Sequence, residues 1–263
     1  MGVRKLGVIG LALSLALTLQ GPAVAQHASD PACRRLSFER TPFTVCDYRP
    51  AELEIRLEAA ANGAPIGSFA TLRRALGRAA VRVAFAMNAG MYDADQSPVG
   101  LFVRQGVVER SLNRTSDLGN FYLKPNGVFW VGADGAPHVE ATDTYAEAPR
   151  YPAWATQSGP LLVGRGAFNP HLAANGTSLQ VRNAVGVKGR EAFFVISDAP
   201  VSFGRLARFL RDGLACPDAL YLDGAVSALW APGLGREDRA KGLGTFVVVS
   251  QRPPAPLRAR RVL

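Results

Sequence analysis

The sequence predicts an α+β fold: a single domain with a mainly antiparallel or mixed β-sheet and a few helices. Three observations carry this. Short apolar runs recur, punctuated by Gly, Asn, Asp and Pro at hairpin spacing. Only the stretches after Ser68 and Ser202 show the three- and four-residue apolar spacing of an amphipathic helix. Strands and helices also fail to alternate in the regular way of a doubly wound sheet.

In chain order, Arg4 and Lys5 precede an apolar run, Leu6 to Leu19, and the small residues Ala23-Val24-Ala25. This is the pattern of an export signal, so residues 1–25 are expected to be removed and Gln26 to begin the mature chain. The run falls short of the ~20 residues a membrane span needs. Residues 26–252 are expected to form the domain and 253–263 a loose tail. Cys33 to Leu57 alternates as a strand meander, in which Leu36 to Val45 reads as two strands around a turn. Cys33 and Cys46 flank that turn and are the best disulfide pair for an oxidising compartment, leaving Cys216 as a buried thiol.

Ser68 caps a helix with Phe69, Leu72 and Leu76 on one face. Val81 to Met87 is a buried strand. Leu101 to Val103 and Val107-Val108 form a hairpin about Gln105-Gly106. Phe121 to Leu123 and Gly127 to Val131 read as another strand pair, and 141–153 as a surface connection. Further strands are expected at Leu161 to Val163, Ala184 to Val187, Phe193 to Ile196, Leu220 to Leu222 and Thr245 to Val249. Ser202 caps the second helix, which Gly213 stops.

Composition narrows function. The chain carries a formal charge of +9, which becomes +7 once the two positive charges of the leader are gone. The cations are mostly Arg and scattered without a long basic block, so they fit an anionic substrate such as a phosphate-bearing glycan at least as well as nucleic acid, and no nucleic-acid partner is expected. With three His in total, none paired at ligand spacing, zinc is not expected and no metal ligand is assigned. No cofactor is expected, with a hard cation such as Ca or Mg on Asp oxygens left open. Phosphate-loop and nucleophile-elbow motifs are missing. Chemistry then rests on carboxylates, Arg, amides and hydroxyls.

Those residues gather where apolar runs end. The clusters are Asn88-Ala-Gly90-Met-Tyr92, Asn113-Arg114, Lys124-Pro-Asn126, Gln157-Ser158-Gly-Pro, Arg182-Asn183, Ser197-Asp198, and Asp223-Gly224 with Ser227. For each alone, a plain turn or cap is the competing explanation. Taken in order without Asn113-Arg114, and together with Ser97-Pro98-Val-Gly100 and Arg182-Asn183-Ala-Val-Gly186, they resemble the phosphodiester glycosidase domain family, and its exported bacterial members in particular. The resemblance spans Cys33 to Val249. It departs at Asn88-Ala-Gly90-Met-Tyr92, where Asn-Gly-Gly-Phe-Phe is frequent in the family, and after Asp223-Gly224, where Ala225 and Val226 replace two glycines.

The resemblance implies hydrolysis of a sugar-1-phosphodiester at its glycosidic bond by a periplasmic or secreted enzyme acting on an envelope glycan or exopolysaccharide. It gives Arg182 the phosphate, helped by Arg114 and Lys124, and makes Asp223 and Asp198 the candidate base or charge-stabilising carboxylates. Asn88, Gly90, Tyr92, Asn126, Gln157, Ser158, Asn183, Gly224 and Ser227 would contact sugar or water. Two alternatives stand beside it: a non-catalytic glycan-binding module on the same scaffold, and a metal-dependent phosphodiesterase that breaks the P–O bond.

Overall fold

A computed structural model describes residues 1–2, 32–223 and 226–253. The chain divides into the units Met1–Asp30 and Pro31–Leu263, and the second carries the fold. The expected leader, the larger part of the expected tail, Gly224 and Ala225 lie outside the described residues.

The meander opens with β1 (Cys33–Phe38) and β2 (Thr41–Tyr48), paired in register so that Cys33 lies opposite Cys46. That places the two thiols face to face, and the expected disulfide joins them. Next come β3 (Leu53–Glu58) and a two-residue hairpin, β4 (Ala60–Ala61) with β5 (Ala64–Pro65). Helix α1 (Phe69–Leu76) begins where Ser68 Oγ accepts the Thr71 N–H at 3.2 Å. A 3-10 segment then leads into β6 (Val83–Asn88). The hairpin of β7 (Phe102–Arg104) and β8 (Val107–Arg110) turns at Gln105 and Gly106, both with positive φ, as the Gln-Gly pair predicts.

Two expectations fail here. Asn120–Tyr122 is a 3-10 turn instead of a strand, because Asn126 Nδ2 donates to the Phe121 carbonyl and Leu123 N–H to that of Asn120. The partner of β9 (Gly127–Val131) is instead β10 (Pro137–Ala141), across the Asp134-Gly135 turn. The connection after it contains a short helix, α2 (Thr142–Glu147).

The remaining strands are β11 (Trp154–Ser158), β12 (Leu161–Gly164), β13 (Ala167–Phe168), β14 (Asn183–Lys188), β15 (Glu191–Ser197) and β16 (Asp218–Tyr221). They are completed by β17 (Leu229–Ala231), β18 (Arg236–Glu237) and β19 (Phe246–Gln251). Between β15 and β16, Ser202 Oγ caps α3 (Phe203–Arg208), which widens into a π-turn over Phe209–Gly213.

All pairings are antiparallel and form three main sheets. Their orders are β1-β2-β15-β14-β16-β12-β13, β10-β9-β11-β7-β8 and β18-β17-β6-β19-β3. The sheets meet in one core, to which each contributes an aromatic ring. Phe194 of the first stands 5.5 Å from Phe129 of the second and 5.5 Å from Phe85 of the third. All three rings are buried, each worth roughly 2–3 kcal/mol of transferred apolar surface. Helix α3 covers the far face of the first sheet, where Phe43 stacks on Phe209 at 4.1 Å. Helix α1 covers the third through Phe69, Trp230 and Phe246. Cys216 is buried against Gly186, and burial pushes its thiol up to about 12, so it stays protonated at neutral pH.

Candidate active site

The sheets converge at one end, where β6 stops at Asn88, β11 stops at Ser158, β14 begins at Asn183 and β16 runs out toward Asp223. Each residue is polar at the point where its ladder of backbone hydrogen bonds ends, so each side chain is available to hold a neighbouring loop. Asn88, Ser158 and Asn183 are 0 % exposed, and Asp223 is 6 % exposed. Groups so enclosed must bond to one another.

Asn88 Nδ2 donates to Asp223 Oδ2 at 3.1 Å, and Asn88 Oδ1 accepts the Ala228 N–H at 2.9 Å. Asn183 Nδ2 donates to the Asn88 carbonyl at 2.8 Å and to Asn88 Oδ1 at 3.1 Å. Its own Oδ1 accepts the Asp223 N–H at 2.8 Å. The two amides therefore lock each other's orientation, and between them they fix both the backbone and the carboxylate of Asp223. Ser227 Oγ donates to the Asp223 carbonyl and Ser158 Oγ to that of Leu222, each at 2.6 Å. Asp223 is thus a buried carboxylate addressed by a neutral amide, an environment that keeps its charge directional.

Tyr92 lies on the same carboxylate. Burial first, and then the Asp223 charge, raise its phenol above the ordinary value, so the hydroxyl stays protonated at any working pH. That hydroxyl oxygen is buried, without a hydrogen bond of good geometry. The ring is seated on Gly244: a Cβ there would stand 2.1 Å from the Tyr92 Cγ. Thr245 Oγ1 donates to the Gly90 carbonyl at 2.6 Å and ties the same strand start to the loop. Gly90 is pressed onto β11, where a Cβ would meet Thr156 Oγ1 at 2.3 Å. Sequence reasoning missed Gly244 and Thr245, because no local motif signals a residue whose role is to face a loop more than a hundred positions earlier.

Other expected site residues support this centre from further out. Gln157 accepts the Leu101 and Asn113 N–H groups and donates to the Asn113 carbonyl and Thr142 Oγ1, so it anchors the loop around 113. Asn126 ties back its own loop, donating to the Phe121 carbonyl at 3.0 Å and accepting from Lys124 Nζ at 3.3 Å. Gly224 falls outside the described residues.

Three cationic or acidic candidates are bonded to partners of their own. Arg182, expected to grip phosphate, is 1 % exposed and bonded inside the protein. Its guanidinium donates to the Val201 carbonyl, Tyr221 Oη and Ser178, and it stacks 3.8 Å from the Phe203 ring. Through Tyr221 Oη it is bonded to β16 of the first sheet. Arg114 makes an exposed pair with Asp143 at 3.3 Å. Asp198 is paired with Arg236 and accepts from Thr44 Oγ1 at 2.9 Å, lining a separate hollow of about 550 Å³ with Arg35 and Pro42. Among the described residues, no three His, Cys, Asp or Glu side chains are grouped to hold a metal ion, and no helix is long and apolar enough to cross a membrane.

The phosphodiester glycosidase family matches residues 82–249, a span that holds Asn88, Tyr92, Asn183, Asp223 and Gly244. The uncharacterized protein YigE of Escherichia coli (strain K12) is 36% identical over 155 residues, covering 58% of this chain and 59% of that protein. The chain thus spans well under two thirds of that relative. The fold is shared with the catalytic domain of zebrafish N-acetylglucosamine-1-phosphodiester alpha-N-acetylglucosaminidase, solved auto-inhibited by its pro-peptide. The TM-score is 0.56 at 13% identity, over 86% of each chain. It is shared also with a hypothetical protein from Synechocystis, with TM-score 0.52 and 15% identity over 84% of this chain and 61% of that one. By the extent of the family match, this chain belongs to the phosphodiester glycosidase family.

Proposed function

We infer that this protein hydrolyses the glycosidic bond of a sugar-1-phosphodiester, releasing a free sugar and a phosphomonoester. The observation that carries the reading is the Asp223 carboxylate, oriented by Asn88 and Asn183 at the meeting point of three sheets and faced by the Tyr92 phenol. A phosphomonoester departs as a stabilised anion and needs little protonation, so a site built on a directed carboxylate suits it. In the proposed step, a water oxygen bonds to the anomeric carbon while the bond from that carbon to the phosphate oxygen opens. The bonding pair leaves with the phosphate, and Asp223 takes the proton released by water. Tyr92, held protonated, donates to a sugar hydroxyl or to the leaving oxygen.

The disulfide and the leader-like N-terminus favour an exported protein acting on a phosphate-bearing envelope glycan. The zebrafish relative's name specifies N-acetylglucosamine-1-phosphodiester, so that compound heads the substrate panel.

Turnover of purified protein in water labelled with heavy oxygen tests the reading. Label in the released sugar is the expected result. Label in the phosphate would reassign the chain to P–O cleavage, and glycan binding without turnover would favour a binding module.

A further inference from the structure

Arg236 is outside every motif discussed above, yet a continuous chain of bonds links it to the site. Its Nε and Nη2 hold both oxygens of Asp238, each at 3.0 Å. Its Nη1 holds Asp198 Oδ1 at 2.5 Å and donates to Thr44 Oγ1 at 3.0 Å. The Arg236 and Asp198 side chains are only 20 % and 21 % exposed, so screening by solvent is reduced. Asp198 and Thr44 belong to the first sheet, at the end of β15 and within β2, whereas Arg236 and Asp238 belong to the β17–β18 hairpin of the third. The guanidinium therefore clamps two sheets together.

From Asp238 the chain continues inward. Asp238 Oδ2 accepts the Leu229 N–H at 2.9 Å, and the Asp238 N–H donates to the Leu229 carbonyl at 3.0 Å. This fixes the start of β17. The residue before it, Ala228, gives its N–H to Asn88 Oδ1, the bond that turns Asn88 Nδ2 toward Asp223.

We propose that Arg236 is a positioning residue: through Asp238 and the Leu229–Ala228 backbone it sets the orientation of Asn88 and so the aim of the Asp223 carboxylate. The consequence for catalysis rests on the reading of function given above; the consequence for Asn88 does not. Mis-aiming a base by a fraction of an ångström slows the chemical step more than it weakens substrate binding.

The test compares wild type, Arg236→Gln and Arg236→Lys by hydrogen exchange of two buried side-chain amides. Asn88 lies at the end of the bond chain. Gln157, bonded to Asn113 and Thr142, lies off it and reports general loosening. In Arg236→Gln, exchange of the Asn88 amide is expected to quicken about tenfold or more relative to that of Gln157. Arg236→Lys keeps the charge but cannot hold both Asp238 oxygens, so it is expected to fall between the two and serves alone if the Gln variant does not fold. Equal change at both amides, or none at Asn88, overturns the proposal. On a sugar-1-phosphodiester, kcat is expected to fall about tenfold with KM within about twofold. A fall confined to KM also overturns the positioning role. Absence of turnover in wild type would refute the assigned reaction, while the amide comparison still decides the positioning claim.

Discussion

Asp223 and Asp198 look alike in the sequence and differ in the structure. Each follows an apolar strand of the first sheet, and each lies at the same end of that sheet. Asp223 is met at its carboxylate by the Asn88 side-chain amide and at its backbone by Asn183 and Ser227, which fix its direction. Asp198 is met by a guanidinium, shared with Asp238, that holds it in an ion pair and uses it to join two sheets. A strand-end carboxylate therefore becomes a reactive or a structural group according to the partner that a distant segment delivers. For Asp223 the partner comes from β6, and for Asp198 from β18.

The largest expected effect breaks the comparison at its reactive side. Asp223→Asn preserves shape and should lower kcat by about a thousandfold or more, the scale of losing a general base. Thermal unfolding should shift by only a few degrees, since the replaced group keeps its backbone bonds. Activity above a tenth of wild type would show that Asp223 is no more reactive than Asp198.

Asn183→Ala is next, and its effect is on stability. It strips acceptor and donor from the buried Asp223 N–H and Asn88 carbonyl together. Two stranded buried groups cost about 1–3 kcal/mol each. Denaturant unfolding should show a loss of about 3 kcal/mol, and a loss below 1 kcal/mol would mean that Asn183 does not hold the site.

The amide lock is also where legibility in the sequence runs out. Short apolar runs and Asx-Gly turns were sufficient for the α+β class, both helix caps and most strands, because those features are local. Asn88, Asn183, Asp223 and Ser227 were recognisable as an ordered series of motifs. Their mutual bonds were not, since they span separations of 95 and 135 residues. Arg182 marks a second limit of local reading. A guanidinium next to site residues reads as a ligand for phosphate, but nothing local reveals that Val201, Tyr221 and Phe203 will enclose it. The turn at Asn120–Tyr122 fails for the same reason, because the side chain that enforces it belongs to Asn126.

Tyr92 gives a subtler test of the reactive side. Tyr92→Phe removes a buried hydroxyl that lacks a well-formed hydrogen bond, so stability should hold within about 0.5 kcal/mol. If the hydroxyl serves substrate, kcat/KM should fall about tenfold. Gly244→Ala should produce at least as large a fall without touching any polar group, because its Cβ would displace the ring. Equal activity in both variants and wild type would remove Tyr92 from the site.

The smallest effect is predicted where the sequence alone would have placed one of the largest. Asp198→Asn leaves Arg236 with both Asp238 oxygens and Thr44, so the inward path to Leu229 and Ala228 is retained. The variant loses one ion pair that is mostly covered, worth about 1 kcal/mol. Its kcat should stay within about threefold of wild type, far from the loss at Asp223. The stability difference should narrow as salt is raised, since the pair is still partly reached by solvent. A salt-independent loss of activity comparable to that of Asp223→Asn would mean that Asp198 leaves Arg236 during turnover and shares the chemistry, and the two carboxylates would then be a catalytic pair.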